Sequence, residues 1–370
     1  MYVEGAARIG YAAGAFLNPK GRASRDISVA YLRARQRDGA SLLDATAATG
    51  IRAIRYWKEC GIRDATAIEI NREAFSSLKR NIKANRTGVR PLNQSIQEFA
   101  NTSGERFDFI DLDPFGGVSP YIYDLMKLSK HGTELMVTAT DTAVLCGADR
   151  DACIRLYDSK PVHNELSHEG AIRVLIGYIA RVAAQFNMGV EPMLSFSHMH
   201  YMRVFIRLSH GSSSVKGSLS QLGYLGYCQG CGSRVIEPGQ IPRRHRCGTC
   251  RREMGAYGKM WLGRIKEQRC AESVAGALSG AGDAEALARL IASELDLPFY
   301  YHIPTMTRML GVGAVSPASV SALLERSGHR TSYTHMLRSS IRSDADAKAV
   351  RTCIRRISRS RNGITEALFR

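Results

Sequence analysis

Between residues 41 and 210, short β-rich runs alternate with stretches of helical periodicity, and this alternation constrains the fold more than any other feature. The strand candidates are SLLDAT (41–46), DATAIEI (64–70), VRPLNQ (89–94), FDFIDLD (107–113) and ELMVTATD (134–141). Helical patterns such as GIRAIRYWKEC and NREAFSSLKRNIKANR lie between them, so successive strands return in the same direction through helical crossovers. A long amphipathic pattern, AIRVLIGYIARVAAQF (171–186), leads into two apolar strands within EPMLSFSHMHYMRVFIRLSH (191–210). Five parallel strands closed by a terminal hairpin predict an α/β class, with a Rossmann-like sheet over residues 1–211.

The composition then changes. HGSSSVKGSLS (210–220) is rich in Ser and Gly and reads as a linker or exposed loop, followed by a segment dense in Arg and Cys. A domain boundary near residue 212 is expected, with residues 212–370 forming a smaller α+β domain. Residues 271–325 are helical in pattern. TMTRMLGVGAVSPASVSALLERSG gives a helix, a Gly-containing turn and a second helix, the layout of a helix-turn-helix or winged-helix unit. Such a unit serves protein packing as readily as nucleic-acid reading.

Cys228 and Cys231, then Cys247 and Cys250, form C-x2-C-x15-C-x2-C. Each pair lies in a glycine-bearing knuckle, and four thiolates suit tetrahedral Zn2+ with no position left open for a substrate. A structural zinc is expected. The intervening loop carries Arg243, Arg244, His245 and Arg246, a basic prong suited to phosphates. The remaining five cysteines have no partner spacing and read as packing residues.

With 51 Lys plus Arg against 34 Asp plus Glu, the formal charge of +17 points to a polyanionic partner such as nucleic acid. No apolar run reaches the roughly 18 residues of a membrane span. The N-terminal segment, interrupted by Glu4 and Arg8, makes a poor signal peptide. A cytoplasmic protein without a membrane partner is expected.

The chemistry is read from two strand exits. LLDATAATGIRAIR puts Asp44 at a strand end and Gly50 at a helix start, the crevice in which nucleotide-type ligands sit. Thr46 and Ala48 stand where a pyrophosphate loop needs glycine. A ligand without phosphate, such as adenosylmethionine, suits this loop better. Glu69 closes the second strand, 25 residues after Asp44, where a carboxylate can accept both ribose hydroxyls. At the fourth strand, FDFIDLDPFGG places Asp113, Pro114 and Phe115 at the exit. An exocyclic amine on a base is a poor nucleophile because its lone pair is delocalised. The Asp113 carboxylate and the Pro114 carbonyl can accept its N–H groups and aim it at a sulfonium methyl. Phe115 can stack on the base, and Asp113 can also act as general base. Asp111 lies two residues back on the same side, nearer the donor or a structural bond.

These residues carry a resemblance. DLDPFG, DATAATGIRAIRY, FLNPKGRASRDISVAYL (16–32), HEGAIRVLIGYIAR (168–181), MWLGRI (260–265), GHRTSYTHMLRSSIRSDAD and the paired knuckles together resemble the tRNA guanine-26 N2-dimethyltransferase family of archaea and eukaryotes. The resemblance spans nearly the whole chain. It implies a class I methyltransferase domain, S-adenosyl-L-methionine as donor, tRNA as partner, and transfer of one or two methyl groups to guanosine N2. Residue by residue, it implies that Arg25 lies near the donor carboxylate, that Arg52 is a second donor contact, and that Phe16 is an aromatic wall for guanine. Ser24 stands where the family has Asn. Ser95 and Ile96 stand where an Asp-Ala pair receives the donor adenine. His168 and Glu169 open a helix and read as structural. Two alternatives remain open: an amino-methyltransferase on another substrate, and a zinc-containing RNA-binding protein without catalysis.

Overall fold

The computed structural model describes residues 1–10, 16–35, 37–243 and 245–368, with side chains described to residue 360. Arg244 of the basic prong lies outside the described residues. Seven strands build the main sheet: β1 (Ser41–Asp44), β2 (Asp64–Ile68), β3 (Arg90–Leu92), β4 (Phe107–Leu112), β5 (Ser129–Ala139), β6 (Met188–His198) and β7 (Tyr201–His210). Their spatial order is β3-β2-β1-β4-β5-β7-β6. The first five run parallel, and the hairpin of β6 and β7 enters antiparallel beside β5. The predicted α/β sheet is therefore the observed one. Every residue of β1 is buried, as a central parallel strand covered on both faces requires.

The register decides what faces what at the strand exits. Asp44 pairs across β1 and β4 with Asp111, and Thr138 pairs across β5 and β7 with Arg203. β4 ends at Leu112, so Asp113 belongs to the exit turn. The crossover helices are α1 (Arg22–Ala34), ahead of β1, then α2 (Ile51–Glu59), α3 (Arg72–Ala84), α4 (Ile96–Thr102) and α5 (Ser119–Lys127).

By internal contacts the chain forms two units that interleave along the sequence. One comprises Met1–Thr142, Tyr178–Leu219 and Ile265–Ala292, and the other Ala143–Gly177, Ser220–Arg264 and Ser293–Arg370. A single cut near residue 212 does not describe this division. Val274, Leu287 and Ile291 bury their side chains in the same core as Leu42 and Ile54, which returns residues 265–292 to the sheet-bearing unit. Nor is 210–220 a linker: Ser212–Ser220 is a helix. Its Ser218 hydroxyl accepts from Val190 N–H at 2.7 Å and is buried. A Cβ on Gly189 would meet Ser214 O at 2.3 Å, so glycine permits the close approach that compositional reading cannot register.

In the second unit, Arg234–Pro238, Leu222–Tyr227 and Gly255–Trp261 form an antiparallel sheet that carries the cysteine knuckles. Further on, Tyr301–His302 is followed by helices Ile303–Leu310 and Pro317–Arg326 and by strands Thr331–Tyr333 and Ser340–Ser343. The last strand lies between the other two, a winged-helix-like arrangement with its own core around Met306, Val320, Leu324 and Ile341. Glu169 is structural here, as expected. Its buried carboxylate accepts from Arg173, Arg342 and the Phe299 N–H at 2.7–2.8 Å. No described helix is long and apolar enough to cross a membrane.

Candidate active site

A cavity of about 840 Å3 opens at the carboxyl ends of β1, β2, β4 and β5 and is lined wholly by residues of the sheet-bearing unit. Its floor is the β1–α2 loop. Gly50 takes φ of +80°, and a Cβ there would lie 2.4 Å from Leu78 Cδ1, so conformation and packing both require glycine. Glu69 braces the loop: one carboxylate oxygen accepts from Ala48 N–H at 2.8 Å, the other from Asn71 N–H at 2.7 Å. Each oxygen keeps a second lone pair for a hydroxyl, and Glu69 lines the cavity. Ser95 and Ile96 line it too. The Ser95 hydroxyl caps α4 by accepting from Glu98 N–H at 3.0 Å, and Ile96 offers a buried apolar wall.

The opposite wall is the β4 exit. Asp113 donates its backbone N–H to Thr46 Oγ1 at 2.9 Å, and its carboxylate accepts from Arg52 Nε and Nη2 at 2.9 and 2.6 Å. Burial works to raise the Asp113 pKa, but the Arg52 and Arg203 guanidinium charges outweigh it and hold the carboxyl below its usual range. Phe115 and Phe16 stand at the mouth, 72% and 53% exposed, with ring centroids 4.5 Å apart and planes at 78°. The two exposed rings, in edge-to-face contact, present apolar faces at the mouth of the cavity.

The whole chain can be compared with known proteins. Residues 2–355 match the model of the N2,N2-dimethylguanosine tRNA methyltransferase family. The chain belongs to that family. It is 33% identical to the tRNA (guanine(26)-N(2))-dimethyltransferase of Thermococcus kodakarensis, over 90% of this chain and 91% of that one. It is likewise 33% identical to the enzyme of that name from Methanothermobacter thermautotrophicus, covering 89% and 90% of the two chains. Among solved structures, Trm1 from Pyrococcus horikoshii in complex with S-adenosyl-L-methionine superposes with a TM-score of 0.89 at 29% identity, over 95% of this chain and 98% of that one.

Within this family member, the residues picked out from sequence divide into two groups. Arg25, Arg52, Glu69, Ser95, Ile96, Asp113, Pro114, Phe115 and Phe16 all line the one cavity. Asp44 and Asp111 do not. They are buried, Asp44 at 1% and Asp111 at 0% exposure, and do not line the cavity. Asp44 accepts from Ala53 N–H at 3.2 Å, which satisfies the first turn of α2 where Gly50 has no side chain to do so. Burial, then the neighbouring Asp111 charge, pushes the Asp44 carboxyl up to about 7. Asp111 accepts from Arg203 at 2.9 and 3.1 Å and from the Tyr56 hydroxyl, which makes it a support. The arginine fork that holds the Asp113 carboxylate anionic also weakens it as a proton acceptor.

Arg25 reaches the cavity by an unforeseen route. Its Nε and Nη2 grip Glu4 at 2.6 and 2.5 Å, Glu4 being the last residue of the strand Tyr2–Glu4. Sequence reading also missed Thr138, Thr140, His200 and Tyr201, which line the same cavity. Their positions follow from the register of β5 and the β6–β7 turn, which no local pattern reveals.

The four cysteines of the second unit converge as their spacing predicts, with all Sγ atoms within 4.8 Å of one another. Tetrahedral zinc with bonds near 2.3 Å sets sulfurs about 3.8 Å apart, so the cluster fits that ion. Cys228, Cys231 and Cys247 are buried, which suits a structural site. Beside it, Arg243 and His245 turn onto Glu237 at 3.3 and 3.0 Å.

Proposed function

We propose that this chain transfers methyl groups from S-adenosyl-L-methionine to the exocyclic N2 amine of the guanosine at position 26 of tRNA, the activity its curated relatives are named for. The observation that supports this most directly is the ionised Asp113 beside the Phe16–Phe115 slot, in a cavity whose far side is the Glu69-braced loop. When bound, the donor supplies an electrophilic sulfonium methyl. Glu69 would accept the ribose hydroxyls, Ser95 and Ile96 would border the adenine, and Arg25 would provide positive charge for the carboxylate, with Arg52 close by but bonded to Asp113.

The two aromatic rings hold guanine flat at the mouth. The Asp113 carboxylate and the Pro114 carbonyl accept the two N2 hydrogens, which localises the lone pair on nitrogen. N2 forms the new N–C bond as the C–S bond breaks, and the electron pair of that bond leaves on sulfur. The surplus N2 proton passes to water, since Arg52 keeps Asp113 anionic. The second unit, which holds most of residues 212–370, is assigned to tRNA binding, with zinc bracing the knuckles. Exposed Arg326, Arg338, Arg355, Arg356 and Arg359 provide cationic contacts for phosphate. A cytoplasmic location belongs to the same proposal.

Asp113→Ala tests the assignment. Methyl transfer from labelled donor to tRNA is expected to be lost while tRNA binding in a gel-shift assay persists. A variant that transfers at the wild-type rate overturns the role of Asp113.

A further inference from the structure

Arg203 lies on β7 with no exposed surface and no place in the cavity wall, yet it bonds Asp111 and Thr138, two neighbours of Asp113. Its Nη1 donates to Asp111 Oδ1 at 3.1 Å and to Thr138 Oγ1 at 2.5 Å, while Nη2 donates to Asp111 Oδ2 and Ser28 Oγ at 2.9 Å. Thr138 lines the cavity directly across the strand pair from Arg203. Thr138 is also a neighbour of Asp113 and, with its hydroxyl held by Arg203, adds to the guanidinium charges that keep the Asp113 carboxyl down. Arg52 supplies the second contact to Asp113, and it also lies 3.6 Å from Asp111.

The charges around Asp113 come from four elements: Arg52 and Tyr56 on α2, Asp44 on β1, Asp111 on its own strand, and Arg203 and Tyr201 on β7. Two arginines thus face Asp111 and Asp113. Without Arg203, Arg52 is the sole cation for two carboxylates, and the buried Asp111 draws it away from Asp113.

We infer that Arg203 is a positioning residue for methyl transfer: by saturating Asp111 and orienting the Thr138 hydroxyl, it reserves Arg52 for Asp113 and keeps that acceptor ionised. This rests on the proposed transfer to guanosine, in which Asp113 works as an anion. Its signature is the acid limb of the rate profile, which reports protonation of the free enzyme's essential carboxylate.

The test compares kcat/KM for tRNA methylation from about pH 3 to 8 in the wild type, Arg203→Met, Arg203→Lys and Thr138→Val, with donor affinity measured by calorimetry. Arg203→Met is expected to move the acid limb up by about one pH unit, because one of the two guanidinium charges that hold the Asp113 carboxyl down is removed. Arg203→Lys should restore part of that shift. Thr138→Val, which keeps the side-chain shape, should move the limb in the same direction even where Arg203→Met fails to fold. Limbs that stay at the wild-type position in Thr138→Val and in any folded Arg203 variant, with rates lowered equally at every pH, overturn the inference. A wild-type enzyme that methylates no guanosine in tRNA overturns the functional reading instead.

Discussion

At the residue scale, the site separates an acceptor from a slot. Asp113 is fixed by its backbone bond to Thr46 and by the Arg52 fork, so in the proposed transfer it would meet N2 with little freedom to lose. Phe16 and Phe115 are exposed, and the role proposed for them is contact area. Replacing either ring by leucine keeps bulk but removes the stacking face. Base-aromatic stacking is worth about 1–3 kcal/mol, so kcat/KM for tRNA should fall about 5- to 150-fold in each variant, with donor affinity unchanged. Steady-state kinetics with varied tRNA checks this, and a drop seen in donor binding alone contradicts it. Asp113, Pro114 and Phe115 were legible in sequence because their chemistry is local: an acid, a carbonyl and a ring at one strand exit. The ion pair that fixes the protonation state of Asp113 was not legible, because it joins residues 61 positions apart. The burial of Asp44 and Asp111 was not legible either, because it depends on what covers the strand ends.

At the scale of elements, the zinc knuckles carry the clearest prediction. Cys228, Cys231 and Cys247 are buried in a small cluster with Met254, which has little apolar surface of its own to hold three short strands together. One zinc per chain is expected by elemental analysis. Removal by chelation should lower the melting temperature by several degrees while S-adenosyl-L-methionine still binds in calorimetry, because the donor cavity draws on the other unit alone. A metal-free preparation with an unchanged melting temperature contradicts a structural zinc. The knuckles were readable because four like residues at fixed spacing admit few explanations. The helix Ser212–Ser220 was not, since its serines favour turns in isolation and only packing against Gly189 makes them helical.

At the scale of the molecule, distant segments of the sheet-bearing unit are tied by buried charge. Glu4 accepts from Arg25 and Arg55 at 2.5–2.7 Å, joining the N-terminal strand to α1 and α2. Burial opposes ionisation of Glu4, but the Arg25 hydrogen bond and charge, with Tyr2 and Arg55, bring its carboxyl down to about 2. The unfolded value lies near 4.3, so ionised Glu4 contributes about 3 kcal/mol of stability that is complete above that value. That contribution is lost as the pH falls from about 4.3 to about 2. Thermal unfolding of Glu4→Gln should therefore show a lower melting temperature at pH 7 and a shallower fall between pH 5 and 2.5 than the wild type. Parallel acid profiles contradict this. The α/β class was visible from the alternation of patterns, whereas the spatial order of the strands and the interleaving of the units were not. Residues 265–292 carry the same helical signal whichever core they join, and only the contacts of Val274, Leu287 and Ile291 decide it.

The central claim is the site of methylation, and mass mapping of nucleosides tests it most directly. Unmodified tRNA is incubated with the protein and isotopically labelled S-adenosyl-L-methionine, then cut into fragments and analysed. Label on N2 of the guanosine at position 26, absent when Asp113→Ala replaces the wild type, is the predicted result. Label on another atom or another nucleotide, or label that persists in Asp113→Ala, contradicts the account.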